Sequence, residues 1–268
     1  MKVSAIQPFG RLIEEAGGPT SGLAARVRRF LANEGVCVIR ALVLTDDEFV
    51  SFLEHLGTLT FTVGETPVPE CRQLNLVTNA HRSRPPRSVF HTDTSYVAKP
   101  PSITALRVVE CPYSGGETLV TSQYLAYESL ALALRERLQL AEVHHVLTGL
   151  EVGDDAETEC WHPLFRRHPV SGQVAMYLST PERCQAIRGV TGDPNISIQT
   201  LYEHCTQEKF IYRHQWRPGD LLLWDNRCTM HRADHSAVSG TRVMHRGMCA
   251  GEAPIPAFTT AEKGNLNV

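Results

Sequence analysis

The sequence predicts a mainly β domain of barrel or sandwich type with helices packed on its outside. Three observations carry this. From about residue 58 the apolar period changes to two. The runs are short and rich in β-branched residues, and Pro, Gly, Asn and Ser clusters separate them. They also spread evenly, without a linker, a repeat or a low-complexity segment, so residues 1–268 read as one domain. A chain of 268 residues is long enough to bury a sizeable core.

The first third is helical. Leu23, Val27, Phe30 and Leu31 fall at helical spacing behind Ser21, which predicts a helix over 21–33 that stops at Gly35. Cys37-Val-Ile39 reads as a buried strand. Thr45-x-x-Glu48 is a capping box, because each side chain can satisfy a backbone N–H of the other, and Phe49, Phe52, Leu53 and Leu56 follow at helical spacing. Strands are then expected over 59–62, 72–78, 88–97, 103–109 and 117–121, with a turn at Tyr113-Ser-Gly-Gly116. A breaker-free helical stretch over 124–140 follows. Further strands are expected over 142–147, 162–168, 174–178, 210–215, 220–224 and 241–249, interrupted by a helix over 198–204. The tail from about Pro254 is expected to be mobile at its end.

Composition excludes several classes. Lys and Arg total 26 against 29 Asp and Glu, a net charge of −3, so no basic field exists to hold nucleic acid. The eight cysteines stand singly at 37, 71, 111, 160, 184, 205, 228 and 249, which fits neither a zinc ribbon nor a disulfide scaffold and suits a reducing compartment. They read as small buried hydrophobes, with Cys228 held open because it precedes His231 by three residues. Residues 1–10 lack the apolar core of a signal peptide, and no run is long enough to span a bilayer. The expectation is a cytoplasmic protein without a membrane partner.

The chemistry concentrates at His91-Thr92-Asp93. On a strand, residues two apart leave the same face, so both side chains can enter one cavity. Trp224-Asp-Asn-Arg-Cys-Thr-Met-His231 supplies another histidine, read as leaving an apolar strand to reach the mouth of a barrel. Two histidines and one carboxylate hold Fe(II) on one face of an octahedron and leave positions open for reaction. Arg242 adds a guanidinium fork, which binds carboxylate through two parallel charge-assisted hydrogen bonds. An open Fe(II) with a nearby arginine suits a keto acid that chelates at one end and salt-bridges at the other, as 2-oxoglutarate does.

These strings, together with Tyr113-Ser-Gly-Gly-Glu-Thr-Leu119, His162-Pro-Leu-Phe-Arg-Arg-His-Pro-Val-Ser-Gly172 and Arg242-Val-Met-His-Arg246, resemble the taurine dioxygenase (TauD/TfdA) family of Fe(II)- and 2-oxoglutarate-dependent oxygenases. The resemblance runs in order from about residue 35 to 250. It implies a double-stranded β-helix (jelly-roll) core, His91, Asp93 and His231 as iron ligands, and Arg242 with Thr118 as the 2-oxoglutarate site. It further implies that O2 and 2-oxoglutarate are consumed, giving succinate and CO2, while a small-molecule substrate is oxidised. Relatives that halogenate carry a small residue in place of the carboxylate, so Asp93 implies hydroxylation or a desaturation-type outcome.

For the substrate the resemblance says less. Arg246 is either a contact to an anionic substrate or a structural ion-pair partner, and Tyr96 is a candidate pocket wall. Residues 60–67 and Phe90 do not reproduce the pattern around taurine, and the short acidic segment 147–161 is expected to admit a larger or cationic group. His144, His145, His162 and His168 are read as structural. His81 lies in a loop that either is solvated or borders the entrance, and His245 should face away from Arg246. Trp216 and Trp224 are read as packing, and Asp225 and Asn226 as supports for the turn before His231 or partners of a ligand. A zinc hydrolase or a binding module on the same fold is the competing class. A homo-oligomer is left open.

Overall fold

The computed structural model describes residues 1–62, 64–80, 88–149, 152–153, 155–192 and 196–259. Two sheets, antiparallel except where Arg11–Glu14 pairs in parallel with Val36–Ile39, face each other as a jelly roll. The larger runs in the order Lys2–Ala5, Arg11–Glu14, Val36–Ile39, Leu221–Asp225, Ile103–Glu110, Val243–Cys249, Cys71–Thr78 and Pro67–Val68, with Leu59–Thr60 pairing onto Val243–Cys249. The smaller runs Ile211–His214, Thr118–Ser122, Thr229–Ala233.

Strand alternation sorts the core into layers. Leu222 and Trp224 meet Val36, Val38, Leu106, Val108, Val120 and Met244 between the sheets. Leu221 and Leu223, pointing the other way, pack with Ile103 and Ala105 against helices α1 (Ser21–Glu34) and α2 (Asp46–Glu54). Helix α1 is capped by the Thr20 hydroxyl and ends at Gly35, whose φ of 78° is left-handed and free of cost only for glycine. The Thr45–Glu48 capping box opens α2. Its Phe49, Phe52 and Leu53 are fully buried, each contributing about 1.5–3 kcal/mol.

The segment 88–97 is not a strand. His91 forms an isolated bridge with His231 through two backbone hydrogen bonds of 3.0 and 2.9 Å. The chain then turns, with Thr94 at φ 44°, while the Thr92 hydroxyl donates to the Leu178 carbonyl at 2.7 Å. His231, expected beyond a strand, lies on one, Thr229–Ala233. The helical stretch 124–140 divides into α3 (Gln123–Ser129) and α4 (Leu132–Leu138), because Leu130 leaves the helix with ψ 139° to bury its side chain beside Phe165 and Met176. The run 162–168 likewise breaks into Glu159–Pro163 and Phe165–Arg167. Helix α5 (Ile198–Cys205) falls where expected. The N-terminal hairpin and the strand Cys184–Arg188 have no counterpart in the sequence pattern.

Candidate metal centre

His91, Asp93 and His231 converge although they come from a one-residue bridge, a turn and a strand. Their ligand atoms all lie within 4.8 Å of one another, the group of this kind found among the described residues. Asp93 Oδ1 is 3.9 Å from His91 Nε2 and 3.7 Å from His231 Nε2. The His91 Nδ1 sits 3.0 Å from the Val89 carbonyl, which fixes the proton there and frees Nε2 as a donor to metal.

The protonation states suit a cation. Burial pushes His231 down to about 3 despite the nearby Asp93, and burial likewise lowers His91. Burial alone would raise Asp93, but His231, Arg246, His91 and the Thr104 hydroxyl together outweigh it and hold the carboxyl well below its usual range. Two neutral imidazoles and one ionised carboxylate are what a divalent metal requires of its ligands.

A hydrogen-bond chain holds Asp93 from behind. Thr104 Oγ1 donates to Asp93 Oδ2 at 2.7 Å, Asn226 Nδ2 donates to Thr104 Oγ1 at 2.8 Å, and Trp224 Nε1 donates to Asn226 Oδ1 at 3.0 Å. Thr104, Asn226 and Trp224 are at most 1% exposed, so water does not compete. Asn226 therefore supports the carboxylate ligand, not His231. Asp225 supports the turn, taking Arg227 Nε at 2.8 Å and His168 Nε2 at 3.1 Å. The Trp224 ring packs at 4.3 Å from the His231 ring. Sequence reasoning missed Thr104, whose signal was a polar side chain at an inward position of the apolar strand Ile103–Glu110.

A cavity of about 150 Å³ joins this centre to Thr118, Arg242 and Arg246. Arg242 is 1% exposed; its Nε donates to the Gly116 carbonyl at 3.0 Å and its Nη2 to Thr118 Oγ1 at 3.3 Å. Burial lowers it to about 10, and no described carboxylate answers its charge. An unpaired buried guanidinium is costly unless an anion completes it. Gly116, at φ 75°, keeps this approach open, since a Cβ there would lie 3.0 Å from Arg242 Cδ. The Trp216 indole, expected only to pack, donates to Thr118 Oγ1 at 3.2 Å.

Arg246 differs. Its Nη1 lies 3.6 Å from Asp93 Oδ1 and its Nη2 pairs with Glu65 Oε2. His245 faces the opposite way, onto Asp46 of α2 at 2.6 Å. Tyr96, 5% exposed, lines a separate chamber of about 400 Å³, and Arg183 lies 5.4 Å over its ring. His144 stacks on Trp161 at 4.8 Å and His145 meets Ser95 Oγ at 3.0 Å, away from the centre. Cys228 is buried, its thiol pushed well up by burial and Asp225. His81 and the end of the C-terminal tail lie outside the described residues, as do Leu150, Glu151 and Asp154 of the acidic segment.

The sequence family described as taurine catabolism dioxygenase TauD, TfdA matches residues 7–248. The chain belongs to the TauD/TfdA family. Among TauD/TfdA relatives, a pentalenolactone F synthase of Streptomyces arenae is 30% identical over 75% of this chain and 77% of its own. An alpha-ketoglutarate-dependent 2,4-dichlorophenoxyacetate dioxygenase of Cupriavidus pinatubonensis is 27% identical over 91% and 93%. The crystal structure of a taurine dioxygenase from Burkholderia xenovorans superposes with a TM-score of 0.80 at 27% identity, covering 95% of this chain and 92% of the other. The jelly roll is thus the TauD/TfdA fold.

Proposed function

We propose that His91, Asp93 and His231 hold Fe(II), and that Arg242 and Thr118 hold the distal carboxylate of 2-oxoglutarate. The chain is a 2-oxoglutarate-dependent dioxygenase, an oxidoreductase that acts on a small molecule. One observation carries the assignment. Two of the three clustered metal-ligating side chains, His91 and His231, and a buried, unanswered guanidinium open onto the same cavity. A dianionic keto acid spans the two, giving one end to the metal and the other to the arginine.

When bound, Fe(II) supplies the redox chemistry that couples O2 consumption and decarboxylation of 2-oxoglutarate, to succinate and CO2, to oxidation of the substrate. The residues do the rest. His91 and His231 stay neutral at working pH and so donate lone pairs without first losing a proton. Asp93 is aimed by Thr104. Arg242 is aimed by Gly116 and Thr118, and Trp216 orients the Thr118 hydroxyl. The ionised carboxylate of Asp93 favours hydroxylation or desaturation as the outcome.

The rest of the reading is a single oxygenase domain across residues 1–268 in the cytoplasm, with neither nucleic acid nor membrane as a partner; a homo-oligomer is compatible with it. A net charge of −3 supports the first exclusion, and no described helix is long and apolar enough to cross a membrane. None of the relatives named above is a hydrolase, so the zinc reading gains no support. The test is succinate formation from 2-oxoglutarate. It should require added Fe(II) and be lost in Asp93→Ala, and turnover with zinc alone or unchanged turnover in the variant would refute the proposal.

A further inference from the structure

Two arginines, four residues apart with inward-facing Met244 between them, reach the site, and their charges are balanced differently. Arg242 has no described carboxylate partner and waits for an anion. Arg246 is 9% exposed and lies between Asp93, at 3.6 Å, and Glu65, which pairs with its Nη2. The Arg246 side chain is 11% exposed and that of Glu65 31%, so the pair is partly shielded from water.

With the proposed ligands in place the charges close without a substrate. The metal dication and the two guanidiniums are matched by Asp93, Glu65 and the two carboxylates of 2-oxoglutarate. Of the described arginines lining this cavity, Arg242 is then taken by 2-oxoglutarate and Arg246 by Glu65, so an acidic substrate has to compete with Glu65 for Arg246. The neighbouring chamber agrees. It has about 400 Å³, begins at Thr94 beside Asp93, and is lined mainly by apolar groups and by Thr60, Thr62, Thr94 and Tyr96, the Thr62 and Thr94 hydroxyls lying 3.2 Å apart. Its charged lining residues, Lys99 and Glu157, are exposed, and Glu157 already accepts from the Ala98 N–H at 2.6 Å. Thr62 and Glu65 share one short segment, and the Thr62 hydroxyl lies 4.0 Å from Met248 Sδ, two residues along the strand from Arg246.

We propose that Glu65 sets the substrate class: by occupying Arg246 it restricts the chamber to uncharged, largely apolar molecules that carry hydrogen-bonding oxygens. This rests on the oxygenase reading above and deepens it. Hydroxyl-bearing walls satisfy carbonyls and alcohols but offer nothing equivalent to a carboxylate or sulfonate.

The test compares three acid–amide pairs of increasing size, acetate with acetamide, methanesulfonate with methanesulfonamide, and phenylacetate with phenylacetamide. Wild type and Glu65→Gln are assayed with saturating 2-oxoglutarate, first metal-free by thermal shift and calorimetry, then with Fe(II) by succinate release. In wild type no acid should bind more tightly than its amide. In Glu65→Gln at least one acid should bind tenfold or more tighter than in wild type, with its amide within twofold. The idea is overturned if wild type prefers an acid over its amide by tenfold, or if the substitution leaves all three acids unchanged. Glu65→Ala must repeat the gain, so that a misfolded single variant does not decide the outcome. Because the metal-free arm reads only the arginine, it stands even if wild type releases no succinate, a result that would instead sink the oxygenase reading.

Discussion

Replacing Thr104 by valine removes one hydroxyl at nearly constant volume from a position with no exposure. Asp93 Oδ2 then loses a 2.7 Å hydrogen bond, and the Asn226 amide loses its acceptor at 2.8 Å. A hydrogen bond to a charged group is worth about 1.5–3 kcal/mol. The carboxylate stays ionised, because His231, Arg246 and His91 each lower Asp93 more than Thr104 does. The loss is therefore one of aim, not of charge. Freed from Thr104, the carboxylate can rotate toward Arg246, whose Nη1 is already 3.6 Å from Oδ1. At about 1.4 kcal/mol per tenfold, metal affinity should fall by roughly 10- to 100-fold. Anaerobic calorimetry with Fe(II), or with Mn(II) as an air-stable substitute, measures this directly. A dissociation constant within twofold of wild type would show that the chain Trp224–Asn226–Thr104 does not position the ligand.

Two further predictions concern the cosubstrate and acid stability. Arg242→Gln removes one partner of a charge-assisted pair, so KM for 2-oxoglutarate should rise about 10- to 150-fold while Fe(II) binding without cosubstrate changes little; an unchanged KM would refute the assignment. His162 is 3% exposed, and burial depresses it from 6.5 to about 4. Below pH 6.5 the unfolded chain takes up a proton that the folded protein refuses, so stability should fall as pH drops from 6.5 toward 4 and then level off for this group. The shift corresponds to at most about 3 kcal/mol. His145, lowered by burial beside it, acts in the same direction. Urea unfolding across pH 7 to 4 should therefore be steeper for wild type than for His162→Gln, and parallel profiles would contradict the reading.

The parts legible in the sequence are those with local causes. The Thr45–Glu48 box and Gly35 announced the ends of the first two helices, because capping chemistry is set within four residues. His91, Asp93 and His231 were legible as a set of donor types, but the geometry inferred for them was not the one that brings them together. A one-residue bridge and a turn do so, held by Thr92 reaching Leu178, far along the chain. Leu130 ended a helix that its local sequence would have continued, because a tertiary pocket receives it. Glu65 was invisible for the same reason, and Thr104 showed only as a polar residue in an apolar strand; the role of each comes from a partner more than ten residues away.

The most direct test is an anaerobic Fe(II) titration of the metal-free protein and of His91→Ala, Asp93→Ala and His231→Ala, with folding of each checked by circular dichroism. The account predicts one Fe(II) per wild-type chain and loss of stoichiometric binding in every folded variant. Undiminished binding of one Fe(II) by a folded Asp93→Ala or His231→Ala chain would contradict it.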